Sequence, residues 1–171
     1  METTKLTPGK FALNYGLILG VIGVLISIIT YFTGMMERGE QWPFYIYYVI
    51  FAVFIFLTIS KFKKQNNGLL TFGEALKVGV ATAVISALVT SVFGLILHYI
   101  IDPELMDRAM EVAREKLYDN PKMTEEMVDK SVEMMKKFSN PLIGTAIGIG
   151  GSAIFGLIYA LIGGLVMKKE A

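Results

Sequence analysis

Four long stretches without a single Asp, Glu, Lys or Arg constrain this chain more than any other feature: Phe11–Thr33, Trp42–Ser60, Val78–Ile101 and Leu142–Met167. A bilayer core about 30 Å thick takes about 20 helical residues at 1.5 Å each, and each stretch comes near or above that length. A chain of 171 residues has no soluble core able to hide four such segments. Only 18% of its residues are charged, against roughly 25% in an average soluble domain. The expected fold is an all-α integral membrane protein with four transmembrane helices. It forms one domain, with spans near 11–33, 42–60, 73–101 and 142–167 and an extracytoplasmic αα-hairpin over 102–140.

The first stretch is longer than a signal-peptide h-region of about 7–15 residues, and no small-residue cleavage site follows it. It is expected to be retained as the first span. There is no Cys, which excludes disulfides, thiolate metal sites and Cys nucleophiles. Seven lysines (Lys5, Lys10, Lys61, Lys63, Lys64, Lys168 and Lys169) fall in the two tails and the second connection, against Arg38 alone in the first connection. The positive-inside rule then puts both termini in the cytoplasm. Trp42, Phe44, Tyr45, Tyr47 and Tyr48 are expected to form an aromatic belt at the outer interface.

Charge appears at one mouth of a span. Thr71-Phe-Gly-Glu74 has the S/T-x-x-E form of a capping box, in which side chain and backbone satisfy each other across the first turn. Lys77 shares a face with Glu74, and its stem can carry the ammonium back to the headgroups. Capping and anchoring explain both. The alternative is a paired ionisable site on a substrate path, because charge within a span is a functional suspect by default.

Small residues recur every fourth position along the last span: Gly144, Gly148, Ser152, Gly156, Ala160 and Gly164. The third span carries Ala75, Gly79, Ala83, Ala87 and Ser91, and the first carries Ala12, Gly16 and Gly20. In lipid such rows let backbones approach closely. Spans one, three and four are therefore expected to make the tight packing. The bulky second span is expected to lie outside, against lipid. "GIGGS" at 148–152 lacks the strand and Lys of a phosphate loop.

Between spans three and four, Asp102-Pro103-Glu104 reads as the N-cap, N1 and acidic first turn of a helix. Leu105, Met106, Ala109, Met110, Ala113 and Leu117 give it an apolar face. Asp119-Asn120-Pro121 breaks it, and Thr124 opens a second helix that Asn140-Pro141 ends. Six of the ten Met lie here. Met-rich tracts can hold Cu(I) outside the cytoplasm, but Met at helical spacing more often serves as adaptable packing. The one His, His98, is expected to bond to Asp102 one turn on, and with a single carboxylate it makes a poor metal site. No catalytic residue, metal ligand or cofactor is assigned.

"LTFGEALKVG", "YIIDPEL" at 99–105 and "MMKKFSNP" at 134–141 together resemble an uncharacterised bacterial inner-membrane family, domain of unknown function 4199 (DUF4199), over about Phe11 to Met167. The resemblance implies a multi-pass protein of the bacterial inner membrane with an outer helical insertion. It implies no activity and supplies no functional residues.

Three function classes remain. The first is a non-enzymatic structural or accessory subunit, partnered by the lipid bilayer and by its own copies or a larger membrane protein, with no role for nucleic acid. The second is a small transporter or an oligomeric channel. The third is an enzyme acting on lipid at the interface through Glu74, Lys77 or His98. The small-residue rows and the lack of midplane charge favour the first.

Overall fold

The computed structural model describes residues 7–169. Six α-helices follow one another: α1 Pro8–Phe32, α2 Trp42–Gln65, α3 Phe72–Ile96, α4 Leu105–Tyr118, α5 Glu125–Phe138 and α6 Pro141–Met167. A π-turn, Leu97–Ile101, prolongs α3. Helices α1, α2, α3 with its π-turn, and α6 are each long and apolar enough to cross a membrane. Among the described residues there is no strand, only a two-residue backbone pairing of Leu70 with Lys169. The helices overrun the apolar stretches at the basic ends. α2 runs on through Lys61, Lys63 and Lys64, because Lys costs little in a helix and its charge suits a helix C-terminus.

Pro8, Pro43 and Pro141 open α1, α2 and α6 within their first two positions, where a proline costs no hydrogen bond. Thr71 caps α3 with both halves of the capping box formed. Its Oγ1 accepts from the Glu74 N–H at 3.2 Å, and its own N–H donates to Glu74 Oε2 at 2.9 Å. Asn140 caps α6 by accepting from the Leu142 N–H at 2.9 Å.

Helix α3 is the middle of the bundle, with α1 on one flank and α6 on the other. On the α1 flank, a Cβ at Gly16 would stand 2.7 Å from Cβ of Ile85, and one at Gly20 would stand 2.6 Å from Cβ of Val89. On the α6 flank, a Cβ at Gly79 would stand 2.5 Å from that of Ala160, and one at Gly156 would run into the Ala83 methyl. None of these four contacts survives an added methyl without movement of the helices. This is the close backbone approach that small residues permit in lipid.

Helix α2 does not lie outside. Phe51, Ile55, Thr58, Ile59 and Phe62 are buried along one face of it, and Ile55 and Ile59 reach the glycines of α3 and α6 at Gly79 and Gly163. The small-residue rows leave grooves, and the ridge of α2 fills them. Small-residue content identifies which helices touch backbone to backbone; it does not identify which helix supplies the volume between them.

One end of the bundle gathers the N-terminus of α1, the C-terminus of α2, the start of α3 and the end of α6. There Phe11 meets Phe62 edge to face, Lys63 Nζ donates to the Met167 carbonyl at 2.7 Å, and Leu70 and Lys169 exchange backbone hydrogen bonds of 2.8 and 2.9 Å. Lys10, Lys61, Lys63, Lys64, Lys168 and Lys169 therefore share this end; Lys5 lies outside the described residues. The other end carries α4, α5 and the α1–α2 connection.

Candidate functional site

The small-residue row of α6 divides at its middle. Gly156, Ala160, Gly163 and Gly164 are buried, and no residue of α6 before Gly156 is. Gly144 and Gly148 are exposed, and a Cβ on either would meet nothing within 4 Å. The expected packing of Gly144, Gly148 and Ser152 against a neighbouring helix is thus absent from this chain. Helices α3 and α6 part above Ala87, the last buried residue of α3 before the π-turn. Two of the row's missing neighbours are cavities. Gly148, Gly151 and Ser152 line one of about 420 Å³ together with Ser27, Tyr47 and Thr90. Gly144 and Thr145 line another of about 260 Å³ together with Thr90, Ser91 and His98.

Tyr47 is the belt residue that turns inward. Its hydroxyl stands 2.9 Å from Ser86 Oγ, and its ring fills the space that Gly23 leaves. Trp42, Phe44, Tyr45 and Tyr48 remain exposed. A membrane-buried hydroxyl needs a partner, and Ser86 supplies it.

The π-turn changes the geometry at His98. A π-helix closes its hydrogen bonds at i+5, and Asp102 N–H donates to the Leu97 carbonyl at 2.8 Å. The chain then leaves the helix at Asp102, at φ −146° and ψ 80°. The expected His98–Asp102 bond does not form. His98 Nδ1 is buried with no hydrogen-bond partner among the described residues. Asp102 lies three residues before α4, which begins at Leu105 with Glu104 in the N-cap position. The Asp102 carboxylate instead takes a fork from Arg108, with Nη2 to Oδ2 at 2.6 Å and Nη1 to Oδ1 at 3.2 Å. It also accepts from the Tyr31 hydroxyl at 3.0 Å. Arg108 Nε reaches Glu37 at 3.4 Å. This cluster ties α1, the α1–α2 connection, the end of α3 and α4 together.

The Arg108 guanidinium, with help from Tyr31, holds Asp102 below the usual carboxylate range against partial desolvation. The same carboxylate, with Glu37, pushes Arg108 up. Neither Tyr31 nor Arg108 stands out by spacing in the sequence. They meet Asp102 from 71 and 6 residues away.

Glu74 Oε2 is occupied by Thr71 N–H and Thr71 Oγ1, both at 2.9 Å. Lys77 is exposed, and no ion pair joins it to Glu74 among the described residues. Glu74 and His98 stand at opposite ends of α3, roughly 36 Å apart at 1.5 Å per residue. They cannot act together on one bond. Among the described residues no three His, Asp or Glu side chains gather where a metal could bind.

Outside the bundle, α4 and α5 pack side by side, with Arg114 and Asp129 at 3.6 Å across them. Thr124 Oγ1 caps α5 by accepting from Met127 N–H at 3.4 Å. Their apolar faces, together with the α1–α2 connection, enclose a groove of about 820 Å³ floored by Met106, Met110, Met134, Met135 and Phe138.

Four membrane-length apolar helices around small-residue contacts define a multi-pass membrane protein. The family model for Protein of unknown function (DUF4199) matches residues 14–169, and the chain belongs to that family. No curated protein and no solved structure matches it.

Proposed function

We propose that this is a non-enzymatic accessory or structural subunit of the bacterial inner membrane, with both termini in the cytoplasm, that assembles through the first half of α6. One observation carries the reading: the regular row of small residues continues past Gly156 to Gly148 and Gly144 but has no helix to meet there. A row of this kind at membrane depth suits a partner helix, either from a second copy or from a larger membrane protein. The lysines gathered at the other end favour the cytoplasmic placement of the termini. The separation of Glu74 from His98 and the occupied Glu74 carboxylate favour a non-enzymatic role over chemistry at the lipid interface.

A channel or transporter reading draws on the hydroxyls of Ser27, Tyr47, Thr90 and Ser152 around the α6 cavity. Below that cavity the bundle closes on Gly156, Ala160, Gly79 and Ala83, so a path would have to run between copies. Cys cross-linking tests the assembly reading cleanly, because the chain has no Cys of its own. Ser152→Cys in native membranes is expected to give an oxidised dimer or a bifunctional cross-link to a co-purifying membrane protein, while Val166→Cys gives neither. Absence of any cross-linked polypeptide at Ser152 overturns the reading.

A further inference from the structure

The α4–α5 groove has a direction. The helices run antiparallel, so Lys116 of α4 and Lys130 of α5 line the part of the groove nearer their connecting turn, and Arg38 lines it from the α1–α2 connection. Lys116 Nζ donates to the Arg38 carbonyl at 2.5 Å. At the opposite end Met106 and Phe138 close the groove. Those two residues and Ser139 also line the His98 cavity at the mouth of α3 and α6. The groove therefore carries Lys116, Lys130 and Arg38 at its far end, is apolar along its floor, and is continuous at its near end with space between the membrane helices.

The three cations keep donors to spare. Lys116 uses one of three on the Arg38 carbonyl, Lys130 uses one on Glu126 at 2.7 Å, and Arg38 divides itself between Glu40 at 3.6 Å and the Thr33 carbonyl at 3.2 Å. Of the acids at this end, Glu40 pairs with Arg38, Glu126 with Lys130 and Glu37 with Arg108, which leaves Lys116 without a carboxylate partner among the described residues. A volume of about 820 Å³ lies in the range of roughly 300–1,000 Å³ found for small-molecule sites, which are apolar with a few placed polar groups. The floor is mostly methionine, whose flexible thioether side chain adapts to an unbranched chain.

We propose that this groove binds a long-chain carboxylate, a single-chain anionic amphiphile. Its carboxylate lies among Arg38, Lys116 and Lys130, and its hydrocarbon tail lies along Met110 and Met134 towards Met106 and Phe138. The near end, between α3 and α6, is where the molecule enters from the bilayer, carboxylate first, so that its tail is the last part to leave the membrane.

The test uses the full chain in phosphatidylcholine nanodiscs with a photoactivatable palmitic acid, and the matching photoactivatable palmityl alcohol as the neutral probe. The acid is expected to label peptides carrying Met106, Met110 or Met134, several-fold more than the alcohol does. Unlabelled palmitate is expected to compete. Lys116→Gln with Lys130→Gln should reduce acid labelling several-fold and leave alcohol labelling unchanged, and Met134→Lys should reduce both. Lys137→Gln, outside the groove, serves as the control. Circular dichroism and size-exclusion profiles confirm that each variant is folded. Equal labelling by acid and alcohol, labelling confined to the membrane helices, or loss of labelling in phosphatidylglycerol nanodiscs would each overturn the proposal, the last by making a phospholipid headgroup the occupant.

Discussion

The Tyr31 hydroxyl donates to Asp102 Oδ2 at 3.0 Å, and so pins the last turn of α1 to the residue where α3 gives way to α4. Arg108 grips the same carboxylate from α4 with two hydrogen bonds. A forked guanidinium–carboxylate contact holds orientation better than a lone ammonium would. Asp102→Asn is expected to loosen α4 and α5 from the bundle and speed proteolytic cleavage near Asn120, with the membrane helices remaining protected. Tyr31→Phe removes one of the three bonds and should act in the same direction but less. Unchanged cleavage in Asp102→Asn would show that α4 and α5 are held elsewhere.

The same cluster sets a pH dependence. Arg108 lowers the pKa of folded Asp102 below its unfolded value of about 3.9. The contribution of ionised Asp102 is therefore full above the unfolded pKa and is lost as pH falls through the depressed folded pKa. From neutral pH down to about 5 the protection near Asn120 should hold, and it should fail only in strong acid. Asp102→Asn should abolish that acid step. A step centred near neutral pH would assign the docking to another group.

The divided row of α6 separates two glycines that look alike in sequence. Gly156→Leu forces side-chain carbons against Ala83 and should cost about 1–3 kcal/mol as overpacking, read as a lower melting temperature in detergent. Gly148→Leu meets empty space. It should melt with the wild type and with the control Ile147→Leu, yet lose the cross-link of Ser152→Cys. Equal destabilisation at both glycines would mean that α6 packs along its whole length in the membrane.

The mouth of α3 gives a simpler test. Thr71→Ala removes the cap and should cost about 1 kcal/mol. Glu74→Ala should cost a similar amount, and Lys77→Gln almost nothing. A loss of growth or transport phenotype in Lys77→Gln at normal abundance would restore the paired-site reading.

Orientation is open to direct measurement. A reporter active only in the periplasm should work when inserted near Asn120 and fail when fused after Lys169. The reverse pattern would invert the bundle.

The four apolar helices were legible because charge is costly in lipid and its absence leaves an unbroken run. The capping boundary at Thr71 was legible because it is local: two side chains and one turn. What stayed hidden was everything set by a neighbour. The period of four in α6 is the same above and below Gly156, so it could not reveal which half has a helix against it. Tyr47 looks like its aromatic neighbours until Gly23 and Ser86 are placed opposite. The π-turn has no sequence mark here. It was enough to turn His98 away from Asp102 and leave that carboxylate for Tyr31 and Arg108.

The point at which α6 leaves α3 makes α6 a cantilever. Below Gly156 it is clamped by α2 and α3; above Gly156 none of its residues is buried. The free arm from Gly156 to Pro141 is roughly 22 Å long at 1.5 Å per residue, so a tilt of about 3° at the clamp moves its tip by about 1 Å. That tip is joined through Asn140 and Ser139 directly to Phe138, at the near end of the α4–α5 groove. The near end of the groove and the clamped half of α6 are thus joined by a single stretch of helix with no buried residue along it.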